Sequence, residues 1–112
     1  TTLVWMSGEF GRVPKIDRQP PWNNGRNHYP LCFSAILAGG GVKGGQIVGV
    51  SDDFAEHPKE RPVTPVEFLG SICELAGVDP EGHLDNPKGI DLNVMPLPKD
   101  KPGYGRLKEL YA

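Results

Sequence analysis

Apolar residues fall in four blocks along the chain. Thr2-Leu3-Val4-Trp5-Met6 is apolar at successive positions, not alternate ones. That pattern suits a strand buried on both faces of a parallel sheet. Leu31 to Ala38 is a second such run and predicts a second buried strand. Gln46 to Val50 predicts a short third one. The fourth block has a different period. Val66, Leu69, Ile72, Cys73 and Ala76 recur at helical spacing, and Phe68 and Leu75 widen the stripe, so the pattern predicts a well-buried helix over Thr64–Ala76. Its ends are marked chemically. Thr64 is the N-cap, Pro65 takes the first helical position and Glu67 completes a capping box. Gly77 is the stop.

Polar stretches separate these blocks. Residues Gly11 to Pro30 predict a long loop holding Pro14, Pro20, Pro21 and the turn Asn23-Asn24-Gly25. Gly39 to Gly45 predicts a flexible glycine loop, and Ser51 to Pro62 an acidic surface loop. Asp79-Pro80-Glu81-Gly82 is a turn, Asn86 to Gly105 is irregular, and Arg106 to Tyr111 is a last helical turn or an edge strand. The expected fold is α/β: a partial mixed or parallel sheet with one main helix and long loops, in a single domain. Parallel strands need neighbours and crossover helices. A central strand at the first residue therefore predicts either a fragment of a larger domain or pairing with another chain.

Composition narrows this picture. A chain of 112 residues makes one small domain with a modest core. With 15 Gly and 12 Pro it is loop-rich, yet it has no repeat period. The formal net charge of −2, with dispersed Lys and Arg, gives no nucleic-acid surface. No apolar run is long enough to span a membrane. Cys32 and Cys73 each sit in an apolar run and read as buried free thiols more readily than as a bridge. The absence of a CxxC pair excludes a zinc ribbon.

The candidate chemistry lies in the loops. Gly39-Gly40-Gly41-Val42-Lys43-Gly44 matches G-x-G-x-x-G, but a strand-like run follows where a dinucleotide site needs a helix, and Lys43 is misplaced for a phosphate-binding Walker loop. His28, between Asn27 and Tyr29, is a metal ligand, an acid/base group or a plain loop residue. Glu9 stands in the turn after the first strand, where a carboxylate can ligate metal or pair with Arg12. Arg12 and Arg26 suit phosphate or sulfate by bidentate geometry, or are simply solvated. Asp52, Asp53, Glu56 and His57 lack the order of a calcium loop and read as a solvated loop. His83 reads as an exposed loop residue. No nucleophile elbow or triad pattern is present.

Three segments together resemble a known family. Thr2 through Pro14, Gly25-Arg26-Asn27-His28-Tyr29-Pro30 and Leu37 through Gly45 look like successive hallmarks of an uncharacterised bacterial family, domain of unknown function 1501. Pro62 through Pro80 is similar to its closing segment. That family is similar to the alkaline phosphatase and sulfatase superfamily. The resemblance implies the C-terminal part of an alkaline-phosphatase-like sandwich, from a metal-dependent phosphate- or sulfate-ester hydrolase whose nucleophile lies upstream. It implies Glu9, His28 and Asn27 as metal ligands, with zinc, calcium or manganese as the divalent metal, and Arg12 and Arg26 on the anionic oxygens. Phe10 falls where the superfamily carries a His, and Asn27 where related sequences often carry Asp. Both departures favour, as an alternative, a non-catalytic binding module on a degenerate hydrolase scaffold. The implied partner is a small anionic ester or a sulfated or phosphorylated polymer, in the periplasm or outside the cell. The fragment reading also predicts an oligomer through the edge of the first strand.

Overall fold

The computed structural model describes residues 2–96 and 98–111. Leu97, in the segment expected to be irregular, lies outside them. The chain divides into two compact units, one of Thr1–Leu3, Ala38–Gln46 and Val63–Ala112, the other of Val4–Leu37 and Ile47–Pro62. The elements, in order, are β1 (Leu3–Ser7), β2 (Gly11–Arg12), β3 (His28–Tyr29), β4 (Ala35–Gly39), β5 (Val50–Ser51), β6 (Pro58–Glu60), α1 (Pro65–Leu75), β7 (His83–Leu84) and β8 (Leu92–Asn93), then a 3-10 turn at Lys108–Leu110.

One main helix with strands and long irregular segments agrees with the expectation; the parallel sheet does not. Among the described residues the strands form four separate pairs, β1 with β4, β2 with β3, β5 with β6 and β7 with β8. The last three are antiparallel. A Cβ on Gly39 would lie 2.3 Å from the Thr2 carbonyl oxygen, and one on Gly40 2.8 Å from Leu3 Cβ. The end of β4 therefore sits beside the start of β1, and this pair runs antiparallel as well. A parallel pair needs a crossover connection. The only helix of the described residues follows β6, and β7 beyond it pairs forward with β8, not back into an existing sheet.

The strand boundaries shift too. β4 begins at Ala35, so Leu31 to Ser34 is irregular, and the third expected strand shrinks to Val50–Ser51. The expected loops in turn contain structure: β2 and β3 pair across the long one, β6 lies in the acidic one, and β7 with β8 reaches into the Pro-rich one.

Burial gives the larger correction. On β1, Val4, Trp5 and Met6 are 54%, 57% and 62% exposed, and Ile36 on β4 is 57% exposed. The buried apolar residues among those described are Met95, Leu107 and Leu110. Cys32 and Cys73 are free thiols, as expected, but half-buried. A run of apolar residues records a tendency to be buried; it does not supply the layer that does the burying.

The helix forms as its caps dictate. Thr64 Oγ1 accepts from the Glu67 amide at 3.1 Å. At the other end Gly77 takes φ +80°. Its amide donates to the Glu74 carbonyl at 3.0 Å, while the Val78 amide donates to that of Cys73 at 2.9 Å. These two bonds make a Schellman stop. The face α1 buries is not its apolar stripe. Gly70 and Ser71 are the buried residues of α1, and Leu69 is 37% exposed. The reason is the C-terminal segment, which needs a small face to approach the helix closely. Leu107 N–H donates to Ser71 Oγ at 2.8 Å, and that hydroxyl donates to the Glu67 carbonyl at 2.8 Å. A Cβ on Gly70 would stand 2.6 Å from Arg106 Nη1. Beyond the 3-10 turn Tyr111 bridges to Val42, so Arg106 to Tyr111 is part helical turn and part strand-like. The glycine loop is fastened there: Lys43 N–H donates to Leu110 O at 2.8 Å, and Gln46 Nε2 to Glu109 O at 2.7 Å. Among the described residues no helix is long and apolar enough to cross a membrane.

Candidate functional site

The β2–β3 hairpin positions most of the candidate residues. Arg12 pairs with His28, and Gly11 with Tyr29. Beyond this pairing the chain is not the open loop its composition suggests. Asp17 bridges to Gly25, and Asn24 N–H donates to Asp17 O at 2.9 Å. Asn23 and Asn24 take φ +43° and +71°, conformations that Asn tolerates better than most residues. The hairpin thus returns the chain on itself and sets residues 26 to 28 beside residues 11 to 13. Only glycine fits at position 11, because a Cβ there would meet the Cys32 carbonyl oxygen at 2.2 Å.

Arg12 and Arg26 come together. Both line a cleft of about 400 Å³, whose wall also includes Phe10, Phe33, Ser34 and Ser51. Arg12 Nη1 donates to the Arg26 carbonyl oxygen at 3.3 Å, and its guanidinium lies 5.6 Å from the centre of the Phe10 ring. Both side chains are exposed to the cleft and to solvent. Two guanidinium groups on one cleft with serine hydroxyls make an arrangement that can bind a phosphate or sulfate group.

His28 is held by aromatic neighbours. The Phe10 ring packs on the imidazole with centroids 4.1 Å apart, and Trp22 meets its edge at 5.4 Å. Sequence reasoning singled out Phe10 only as a departure from a ligand pattern and missed Trp22. The available signal was a large aromatic standing alone between the Pro20-Pro21 and Asn23-Asn24 turns. The Asn27 side-chain oxygen accepts from the His28 amide at 2.7 Å, and Asn27 lines a second cleft, of about 380 Å³, with Lys15 and Asp17. Glu9 is exposed, and no hydrogen bond or ion pair joins it to His28 among the described residues. Its neighbour Phe10 is the link between the two.

Within the described residues no three His, Cys, Asp or Glu side chains gather as a metal cluster. Glu9, His28 and Asn27 offer one carboxylate, one imidazole and one amide oxygen, fewer donors than a closed divalent site uses. The imidazole suits zinc or manganese better than calcium, which takes about six to eight oxygens. Nearby, the acidic loop is built on one residue. Asp52 accepts the amides of Phe54, Glu56 and His57 at 3.2, 2.8 and 3.1 Å. The Glu56 amide bond, with the His57 and Phe54 amides behind it, holds the Asp52 carboxyl below its ordinary range. Burial raises the Tyr29 phenol, and the Glu56 and Asp52 charges add to that shift. His83, expected in a loop, lies on β7, exposed, with Nδ1 2.6 Å from Asp91 Oδ1.

No curated protein and no solved structure matches the chain. A family model described as "Protein of unknown function (DUF1501)" matches residues 1–100. The match takes in the β2–β3 hairpin, both arginines of the cleft, the glycine loop and the helix, and the chain belongs to that family.

Proposed function

We propose that the chain is the C-terminal part of a larger sulfatase-like domain, a metal-dependent hydrolase of phosphate or sulfate esters that is inactive as this piece alone. The observation that carries the reading is the meeting of Arg12 and Arg26 on one cleft, in the hairpin that also presents His28. The two guanidinium groups would hold the anionic oxygens of a small ester, or of a sulfated or phosphorylated polymer. Glu9 and His28 would be metal ligands, with Asn27 as a weak third. The bound metal would supply polarisation of the ester. The nucleophile and remaining ligands would come from the preceding part of the polypeptide, within an alkaline-phosphatase-like sandwich working in the periplasm or outside the cell.

The test is hydrolysis of nitrophenyl phosphate and nitrophenyl sulfate by the full-length protein with zinc, manganese or calcium. His28→Ala is expected to abolish turnover, and full activity of that variant rejects the assignment. Arg26→Ala is expected to raise KM more than it lowers kcat, because it removes a contact to the anion rather than a reacting group.

A second reading has its own support. The Phe10 ring occupies one face of the imidazole, and the Asn27 oxygen already takes the His28 amide. Both fit a binding module that keeps the scaffold without catalysis. Calorimetric titration of the full-length protein with zinc and manganese separates the two, since absence of metal uptake favours the binding module.

A further inference from the structure

The glycine run Gly39–Gly45 differs between its two ends. At its start the glycines are pinned. A Cβ on Gly39 would meet the Thr2 carbonyl oxygen at 2.3 Å, and one on Gly40 would meet Leu3 Cβ at 2.8 Å. From Gly41 onward that restraint disappears. A Cβ added at Gly41, Gly44 or Gly45 would have nothing within 4 Å beyond its chain neighbours. Gly41 and Gly45 nevertheless hold φ +86° and +76°, which a residue with a Cβ adopts only with strain. Close packing does not account for these glycines, because each has room for a side chain. They bracket a tongue of two residues, Val42 and Lys43, and give the backbone freedom to turn on either side of it.

The tongue is seated on residues 106 to 111, which form a strap. A turn from Val42 N–H to Gly39 O, at 2.9 Å, directs the tongue toward it. Val42 bridges to Tyr111, and Lys43 N–H donates to Leu110 O at 2.8 Å. Gln46 Nε2 donates to Lys43 O at 2.9 Å and to Glu109 O at 2.7 Å, so its side chain ties tongue and strap together. Both Gln46 bonds lie in exposed surroundings. The other side of the strap is held more firmly. Leu107 and Leu110 are buried, and Leu107 N–H donates to the fully buried Ser71 on α1. Tyr111 Oη donates to Glu74, on the next turn of the same helix. Exposed polar bonds open at a lower free energy than buried apolar contacts. We infer that Gly41–Gly45 is a hinged flap. Val42 and Lys43 lift from the strap on their glycine hinges, Gln46 is the catch, and the strap remains on α1 as a fixed seat. The moving part carries the exposed Lys43 ammonium, so lifting it relocates a cation while the buried leucines stay in place. The flap is independent of the hydrolase reading, which uses residues of the other compact unit.

Amide exchange followed by NMR tests this directly. After correction for intrinsic rates, the Lys43 amide is expected to exchange at least about 10-fold faster than the Leu107 amide, because the flap opens while the strap stays. Equal protection of the two amides overturns the inference, since flap and strap then open together. Gln46→Ala removes the catch. It is expected to speed Lys43 exchange at least about fivefold and to leave Leu107 within about twofold of the parent. Gly45→Ala strains the seated form alone, because the lifted flap is free to take negative φ at that position. It is expected to speed Lys43 exchange by about fivefold or more, again without moving Leu107. No rise at Lys43 in either variant, or an equal rise at Leu107, rejects the flap. Gln46 is exposed and position 45 has open space, so neither substitution removes core packing.

Discussion

Around α1 the chain buries Leu107 at 3% exposure and leaves Ser71 with no exposed surface, its hydroxyl bonded on both sides. Around β1 and β4 the larger apolar side chains Trp5, Met6 and Ile36 stay more than half in water. The apolar content of the two regions would rank them the other way round. The difference lies in what each region finds within the chain. The small face of α1 meets a segment shaped to it, residues 106 to 110, whereas Met6 and Ile36 on the strand pair keep more than half of their surface in water. Close polar fit, rather than apolar content, accounts for the burial around α1.

The largest expected effects test that contrast head on. Leu107→Ala should destabilise the 112-residue chain by about 3 kcal/mol, the usual loss for a buried leucine with its cavity. Ile36→Ala should shift it by less than about 0.5 kcal/mol, as exposed sites do. Urea unfolding followed by helix ellipticity measures both. Equal losses at the two positions in the short chain would end the comparison.

Next in size is Ser71→Ala. It keeps the small face but removes the acceptor of the Leu107 amide. A buried donor left without a partner costs about 1 to 3 kcal/mol. Ser34→Ala, at the cleft of the other unit, has no buried bond to lose and should sit within about 0.5 kcal/mol of the parent in the same assay.

The same contrast explains what the sequence makes legible. The helix is legible because its determinants are local: Thr64, Pro65, Glu67 and Gly77 act within one turn of where they stand. Its buried face is not, because Gly70 and Ser71 matter only through residues 106 to 110, more than thirty positions away. Apolar runs at 2–6 and 31–38 announce strands without naming partners, and antiparallel pairing of β1 with β4 is a long-range outcome. In the candidate site, Arg12, Arg26 and His28 are legible as residue types. Their meeting depends on the Arg12–His28 pairing, set by the fold of residues 17 to 25. Phe33, Ser34 and Ser51 enter the cleft from distant parts of the chain and leave no trace in spacing.

A smaller effect comes from Tyr111, whose hydroxyl donates to Glu74 Oε2 at 2.6 Å. Burial first, then this bond, raises its phenol from 10.0 to about 12. The protonated form is the one the fold favours. Its contribution is complete below pH 10 and disappears as pH rises toward 12. Tyr111→Phe should cost about 1 kcal/mol at neutral pH and should flatten that alkaline fall, read as the urea midpoint against pH.

The smallest effect belongs to the β5–β6 tip and shows whether that tip and α1 are separate in stability. Asp52 gathers three backbone amides, and their bonds depress its pKa from the ordinary 3.8. Here the ionised form is favoured by the fold. The stabilisation is therefore complete above 3.8 and is lost as pH falls through the depressed value. Amide exchange of Phe54, Glu56 and His57 should quicken over that acid range. Asp52→Asn should remove the pH step and leave these amides weakly protected throughout, since a neutral amide oxygen accepts less strongly than a carboxylate. The amides of α1 use none of these bonds, and their exchange should not follow the same midpoint. If they do follow it, the tip and the helix open as one cooperative unit, and the contrast between a closely packed region and an exposed one describes packing alone.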